Sequence, residues 1–173
     1  MFKLGLLSGV VVAALADATL ANPEPPGPKA SARAILQEAQ EKLEHMLDRD
    51  PTLLDRLVTS AGYVVFPSVE GDAASELGVA FKDQQPVGYV ELQQASGAPA
   101  ARGKSYAELV ILQGEPALER LQQGDLRFDE HTKPEVLRPG IGQDAESNQG
   151  VAVIVEPEGQ PLVGQAFRYL SAD

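Results

Sequence analysis

Few side chains in this sequence are typed and spaced for chemistry, and each has a plainer use beside it. Glu108 stands out as a carboxylate inside the apolar run Tyr106-Ala107-Glu108-Leu109-Val110-Ile111-Leu112. A carboxyl taken out of water pairs with a base, for which Lys82, Lys104 and Arg168 are the candidates, or remains as a functional acid. A salt-bridged or edge-facing carboxylate is the simpler of the two readings. His45 follows Glu41 by four residues, which places both on one face of a helix. Zinc needs three or four ligands, and no His-Glu-x-x-His pattern supplies the others, so a solvated helix face is the plainer use. His131, in Asp129-Glu130-His131, suits a weak cation site or a polar turn. Residues 97–105 look superficially like a phosphate-binding loop. However, five residues instead of four separate Gly97 from Gly103, and a strand follows Lys104-Ser105 where that motif requires a helix. There is no Gly-x-Ser-x-Gly elbow and no Ser-x-x-Lys pair. The sequence has 0 cysteines, which excludes disulfides, thiolate metal sites and cysteine nucleophiles. The residues point to no catalytic set, no metal and no cofactor.

The aromatic residues Tyr63, Phe66, Phe81, Tyr89, Tyr106, Phe167 and Tyr169 all fall on segments that read as strands. Those sharing a face are placed either for ordinary core packing or to line an apolar cavity between sheet and helices. If the sheet bends into a partial barrel, the second arrangement leaves room for a lipid. A local basic cluster of Lys82, Arg102 and Lys104 is the only evident partner for an anionic head group. Overall charge is the wrong sign for polyanions: 14 Lys and Arg against 25 Asp and Glu give a net charge of -11. Nucleic acid is excluded as a partner, and so is adhesion to an anionic membrane by bulk charge.

The elements that must position these residues follow in chain order. Residues 1–21 carry Lys3, an apolar run and small-residue cleavage patterns ending at Ala16 or Ala21, the signature of a signal peptide. Its apolar run is shorter than the roughly 20 residues a spanning helix needs. Export to the periplasm or beyond is therefore expected, without lipoprotein processing. Residues 22–29 are a proline-rich spacer, and residues 30–173 form one domain. Ala32, Ile35, Leu36, Ala39, Leu43, Met46 and Leu47 recur at helical spacing over residues 29–48. Asp50-Pro51 caps a second, shorter helix expected to bury Leu54, Leu57 and Val58.

Residues 61–112 hold four apolar runs of strand length separated by turn formers, which predicts an antiparallel sheet. The run ending at Leu112 is apolar on both sides near its end, as in a central strand covered on both faces. A third helix starts after Gly114, buries Ala117, Leu118 and Leu121, and ends at Gly124. Residues 126–128 suit a short strand. Residues 129–149 are polar and turn-rich, and a loop of that length is a candidate for function. Residues 151–155 and 162–170 read as a closing hairpin. The expected fold is α+β: a curved antiparallel sheet or partial barrel of about six to seven strands, packed against the N-terminal helices and one further helix.

In its order of motifs the chain resembles the bacterial branch of the lipid-binding SYLF domain family. The resemblance rests on Ala61-Gly62-Tyr63-Val64-Val65-Phe66-Pro67, on Gly88-Tyr89, and on the Val/Leu-rich strand leading into an Ala-Leu helix over residues 109–121. It spans about residues 40–171. Two features depart from the family pattern. A turn containing Glu70, Gly71, Asp72 and Glu76 replaces a glycine-dense one, and Leu126-Arg127-Phe128 stands where a tryptophan is common. The resemblance implies phospholipid or phosphoinositide binding, membrane association and no catalysis. Tyr63, Phe66, Phe81, Tyr89, Tyr106, Lys82 and Lys104 are then the expected lipid contacts. The rival expectation is protein–protein interaction or scaffolding in the cell envelope through residues 129–149.

Overall fold

The computed structural model describes residues 28–70, 75–93, 105–156 and 165–171. The signal-peptide assignment, most of the proline-rich spacer, Lys104 and the turn expected near residues 157–160 lie outside them. Helix α1 (Pro28–Arg49) begins two residues inside the expected spacer, with proline at a position whose missing N–H breaks no helical bond. Its apolar stripe buries Ala39 and Met46 completely, with Ile35, Leu36, Leu43 and Leu47 packed alongside. Helix α2 (Thr52–Thr59) buries Leu53 and Leu57, whereas Leu54 and Val58, expected in the core, are 46% and 57% exposed.

The rotation of α2 follows from Asp50, whose carboxylate accepts four hydrogen bonds. Two come from Thr52, through its backbone N–H at 3.1 Å and its hydroxyl at 2.7 Å. The other two come from the backbone N–H groups of Gly140 at 3.0 Å and Gly142 at 2.7 Å, about ninety residues away. Asp50 thus caps α2 and clamps it to the short helix α4 (Ile141–Asp144). The approach is close: a Cβ on Gly142 would stand 2.4 Å from the Leu53 nitrogen. With the helix start fixed in this way, the face carrying Leu53 and Leu57 is the one that points inward.

Seven strands form one sheet in the order β5-β6-β4-β1-β2-β3-β7. They are β1 (Gly62–Val69), β2 (Ser75–Lys82), β3 (Gln85–Gln93), β4 (Tyr106–Leu112), β5 (Pro134–Val136), β6 (Val151–Glu156) and β7 (Ala166–Ser171). All neighbours are antiparallel except the edge pair β5–β6. Helix α3 (Glu115–Gln123) follows β4 and ends at Gly124, whose φ of 77° suits glycine. As expected, β4 is central, and all seven of its residues are buried.

The closing hairpin is not present. β6 pairs with β4 while β7 pairs with β3, on opposite sides of the sheet. Each strand takes the free edge that the first four strands leave, so the two are never neighbours. Residues 129–149 are likewise not a structureless loop, since β5 and α4 both lie within them. A bulge between Ala80 and Phe81 shifts the β2–β3 register, and Val87 packs on the opposite core from Tyr89.

Alternation sends side chains into two separate cores. Tyr63, Val65, Val79, Phe81, Leu109, Ile111 and Ile154 meet α1, α2 and Ile141 on one face. Val64, Phe66, Ala80, Val90, Leu92, Val110, Leu112 and Val153 meet α3, Leu126, Phe128 and Phe167 on the other. Around this second core the sheet curls. In a flat sheet β1 and β7 would lie three strand spacings, roughly 14 Å, apart. Here the rings of Phe66 and Phe167 are 5.9 Å apart. Gly78, on β2, one of the two strands between, makes this approach feasible, because a Cβ there would stand 2.6 Å from the Phe66 ring.

Residues 126–136 then tie the two edges together. Arg127 bridges Ala166 at the start of β7, Phe128 N–H donates to Gln165 O at 3.0 Å, and β5 pairs with β6 at the far edge. Replacing Asp50 by Ala should remove the clamp between α2 and α4 and lower unfolding stability by about 2–3 kcal/mol. Urea titration of Asp50→Ala against the parent checks this, and Gly142→Ala should be destabilised in the same direction by its clash with Leu53.

Candidate functional site

The aromatic residues expected to share a lipid surface are divided between the two cores. Tyr63 and Phe81 stack at 5.1 Å on the α1 side. Tyr89 is half-buried there, and its hydroxyl donates to Ala32 O at 3.2 Å. Phe66 and Tyr106 lie on the opposite side, inside the curl. Lys82, at the end of β2, sits 3.7 Å from Glu115 at the start of α3. The seven residues therefore do not converge on one surface, and Lys104 lies outside the described residues.

The feature that sequence reasoning undervalued is Glu108. Expected to be salt-bridged or at an edge, it is fully buried, between Phe66 of β1 and Val155 of β6 in the ladder. Neither candidate base among the described residues reaches it: Lys82 faces Glu115, and Arg168 pairs with Glu91 across β3 and β7. The Tyr106 phenol neighbours both Glu108 and Gln165. Even so, among the described residues neither Glu108 oxygen completes a hydrogen bond of good geometry, nor does the side-chain nitrogen or oxygen of Gln165. A buried polar group left unpaired costs about 1–3 kcal/mol, so this cluster is expensive within an otherwise apolar interior.

Burial raises the Glu108 carboxyl from its ordinary value near 4.5 to about 8, only partly offset by the Tyr106 hydroxyl. The acid is therefore protonated at neutral pH. Burial, followed by the neighbouring Glu108 carboxyl, pushes the Tyr106 phenol far up. Chemically the cluster offers O–H and N–H donors and carbonyl acceptors, all uncharged, next to Phe66, Phe128 and Phe167. The last two rings meet edge to face at 4.8 Å. Gln165 carries no signal in the sequence, because its role depends on β7 being brought round to face β4.

The other sites weighed in the sequence have structural partners. His45 Nε2 lies 2.9 Å and Arg49 Nη1 2.6 Å from the same Glu156 oxygen, fastening α1 to β6. Burial acts to raise the Glu156 carboxyl, but Arg49, His45 and Lys42 together hold it below the usual range. Asp129 organises the turn after α3, accepting from His131 N–H at 2.9 Å and from the Thr132 hydroxyl. No group of three or more His, Asp or Glu among the described residues is placed to hold a metal. No described helix is long and apolar enough to cross a membrane. The chain matches no protein-family model and no curated protein.

Stability should respond to pH through these carboxyls. The folded state holds the Glu108 proton more tightly than the unfolded chain does. Its contribution is therefore full below about pH 4.5 and declines as pH rises through about 8, by about 1.4 kcal/mol per unit. Asp50 and Glu156 act oppositely: their lowered values give stability above the ordinary carboxylate range that is lost on acidification. Urea midpoints measured from the ordinary carboxylate value near 4.5 up to about 8 should fall in the parent protein through this group. Glu108→Gln should flatten that slope, because an amide does not ionise.

Proposed function

We propose that this protein is an exported, non-enzymatic lipid-binding or membrane-associating module. The observation that carries the reading is a sheet curled around an apolar interior that contains buried polar groups without well-formed hydrogen bonds. Curled sheets of this kind hold ligands inside, with apolar walls and a few placed polar atoms. The motif resemblance to the SYLF domain family supports the same class, although it rests on the sequence pattern alone. Phe66 and Tyr106 remain as contacts, while Tyr63, Phe81 and Tyr89 serve the α1 core and Lys82 faces α3. With a net charge of -11, attraction comes from apolar contact and not from bulk charge, so added salt should change it little. Co-sedimentation with neutral and anionic liposomes, at low and high salt, tests the reading. Binding that survives high salt is expected, and no binding to either liposome would remove the proposal.

A second reading, protein–protein interaction in the cell envelope, is favoured by one feature of residues 129–149. They frame a cleft of about 550 Å³ lined by Glu130, His131, Lys133, Glu135, Glu146 and Asn148. The cleft is held in shape by Arg138–Asp144 at 2.9 Å and by Glu146 N–H donating to Glu135 at 2.7 Å. Reversing Glu130 and Glu146 together to Lys should abolish cross-linking to envelope partners and leave liposome binding unchanged. The reverse pattern would favour the lipid reading.

A further inference from the structure

We propose that Tyr106, Glu108 and Gln165 form the polar anchor of an interior site for a long-chain molecule ending in one uncharged hydroxyl or amide group. This rests on the lipid-binding reading above and specifies its ligand. Four polar atoms, two on Glu108 and two on Gln165, are buried without a hydrogen bond of good geometry, the Tyr106 hydroxyl lying beside both side chains. They belong to two chain segments, β4 and the start of β7, that the curl brings face to face. Native proteins pair nearly all such atoms, and clustering of the unpaired ones inside an apolar curl marks a place where a ligand completes the set.

The anchor's own chemistry selects the head group. Glu108 is held protonated by burial, so at neutral pH it donates one O–H. Gln165 both donates and accepts, and the Tyr106 hydroxyl does the same. Among the described residues a carboxylate or phosphate would find no free countercharge, because Lys82 and Arg168 are engaged with Glu115 and Glu91. Glu76, on β2, adds a negative charge felt by Tyr106. An ammonium would require Glu108 to ionise against its surroundings. A hydroxyl or amide needs neither, and Leu92, Phe66, Phe128 and Phe167 supply the apolar walls for its chain.

The test is an NMR titration of the full chain with decyl alcohol, decanoate and decylamine. The parent and the Glu108→Leu, Gln165→Leu and Glu108→Gln variants are compared, with urea unfolding of each as a control for folding. Decyl alcohol should bind best, shifting the amide signals of Tyr106 and Gln165. Each leucine variant should weaken it about tenfold or more, and Glu108→Gln should largely retain it. Glu108→Leu should at the same time be at least as stable as the parent, because an unpaired carboxyl has been replaced by an apolar chain. Loss of binding without loss of stability separates an anchor from a structural residue. Tighter binding of decylamine or decanoate, or leucine variants that bind like the parent, would overturn the anchor while leaving lipid binding intact. Failure of all three probes to bind would remove the interior lipid site itself.

Discussion

Strand β4 is shielded from water on both sides, and the rest of the molecule is arranged to keep it so. All seven of its residues are buried between β1 and β6, and apolar side chains leave both of its faces. A single layer of helices covers only one face. The chain solves this by laying α1 and α2 on one side, and on the other by placing α3 and bending the sheet around that core. Residues 126–136 complete the bend by joining the start of β7 to the far edge at β5. The polar atoms of Glu108 and Gln165 are cut off from water by that bend: in a flat sheet a polar residue on an uncovered face would meet water.

Two fastenings keep the helical layer in register with the sheet. Asp50 ties the α1–α2 junction to α4, and Glu156 holds His45 and Arg49 of α1 against β6. In each, burial of a carboxylate is offset by several donors. Glu108 has only the Tyr106 hydroxyl, which does not offset its burial, and this difference separates its chemistry from theirs. Two buried carboxylates stay ionised because the fold supplies partners. The third is neutral because burial outweighs the one partner it has. A group kept neutral and poorly hydrogen-bonded inside a stable protein is costly, and a binding role is one reason to retain it.

Much of the fold was legible in the sequence because its signals are local. Helical spacing from Ile35 to Leu47, Asp50-Pro51 before α2, and Gly124 after α3 each mark an element through short-range geometry. The four strand runs, and the two-sided burial of β4, follow from alternation alone. What failed to show in the sequence depends on distant parts of the chain. Leu54 and Val58 have the right character for a core, but the clamp from Asp50 to Gly142 turns them outward. β6 and β7 look like a hairpin because they are consecutive, yet each takes a different open edge. The residue type and setting of Glu108 were visible, but the loss of Arg168 and Lys82 as its bases was not, since both are engaged by residues that sequence order does not bring near. Gln165 was invisible for the same reason.

The central claim is that Glu108 is a neutral acid enclosed by the curled sheet, and direct titration of its carboxyl tests that claim. Carbon-13 NMR of the Glu108 side-chain carboxyl, assigned by comparison with Glu108→Gln, reports the midpoint at that atom. A midpoint displaced upward to about 8 is the expected result. A midpoint at the ordinary value near 4.5 would mean that water or a base reaches the group, and would contradict the account.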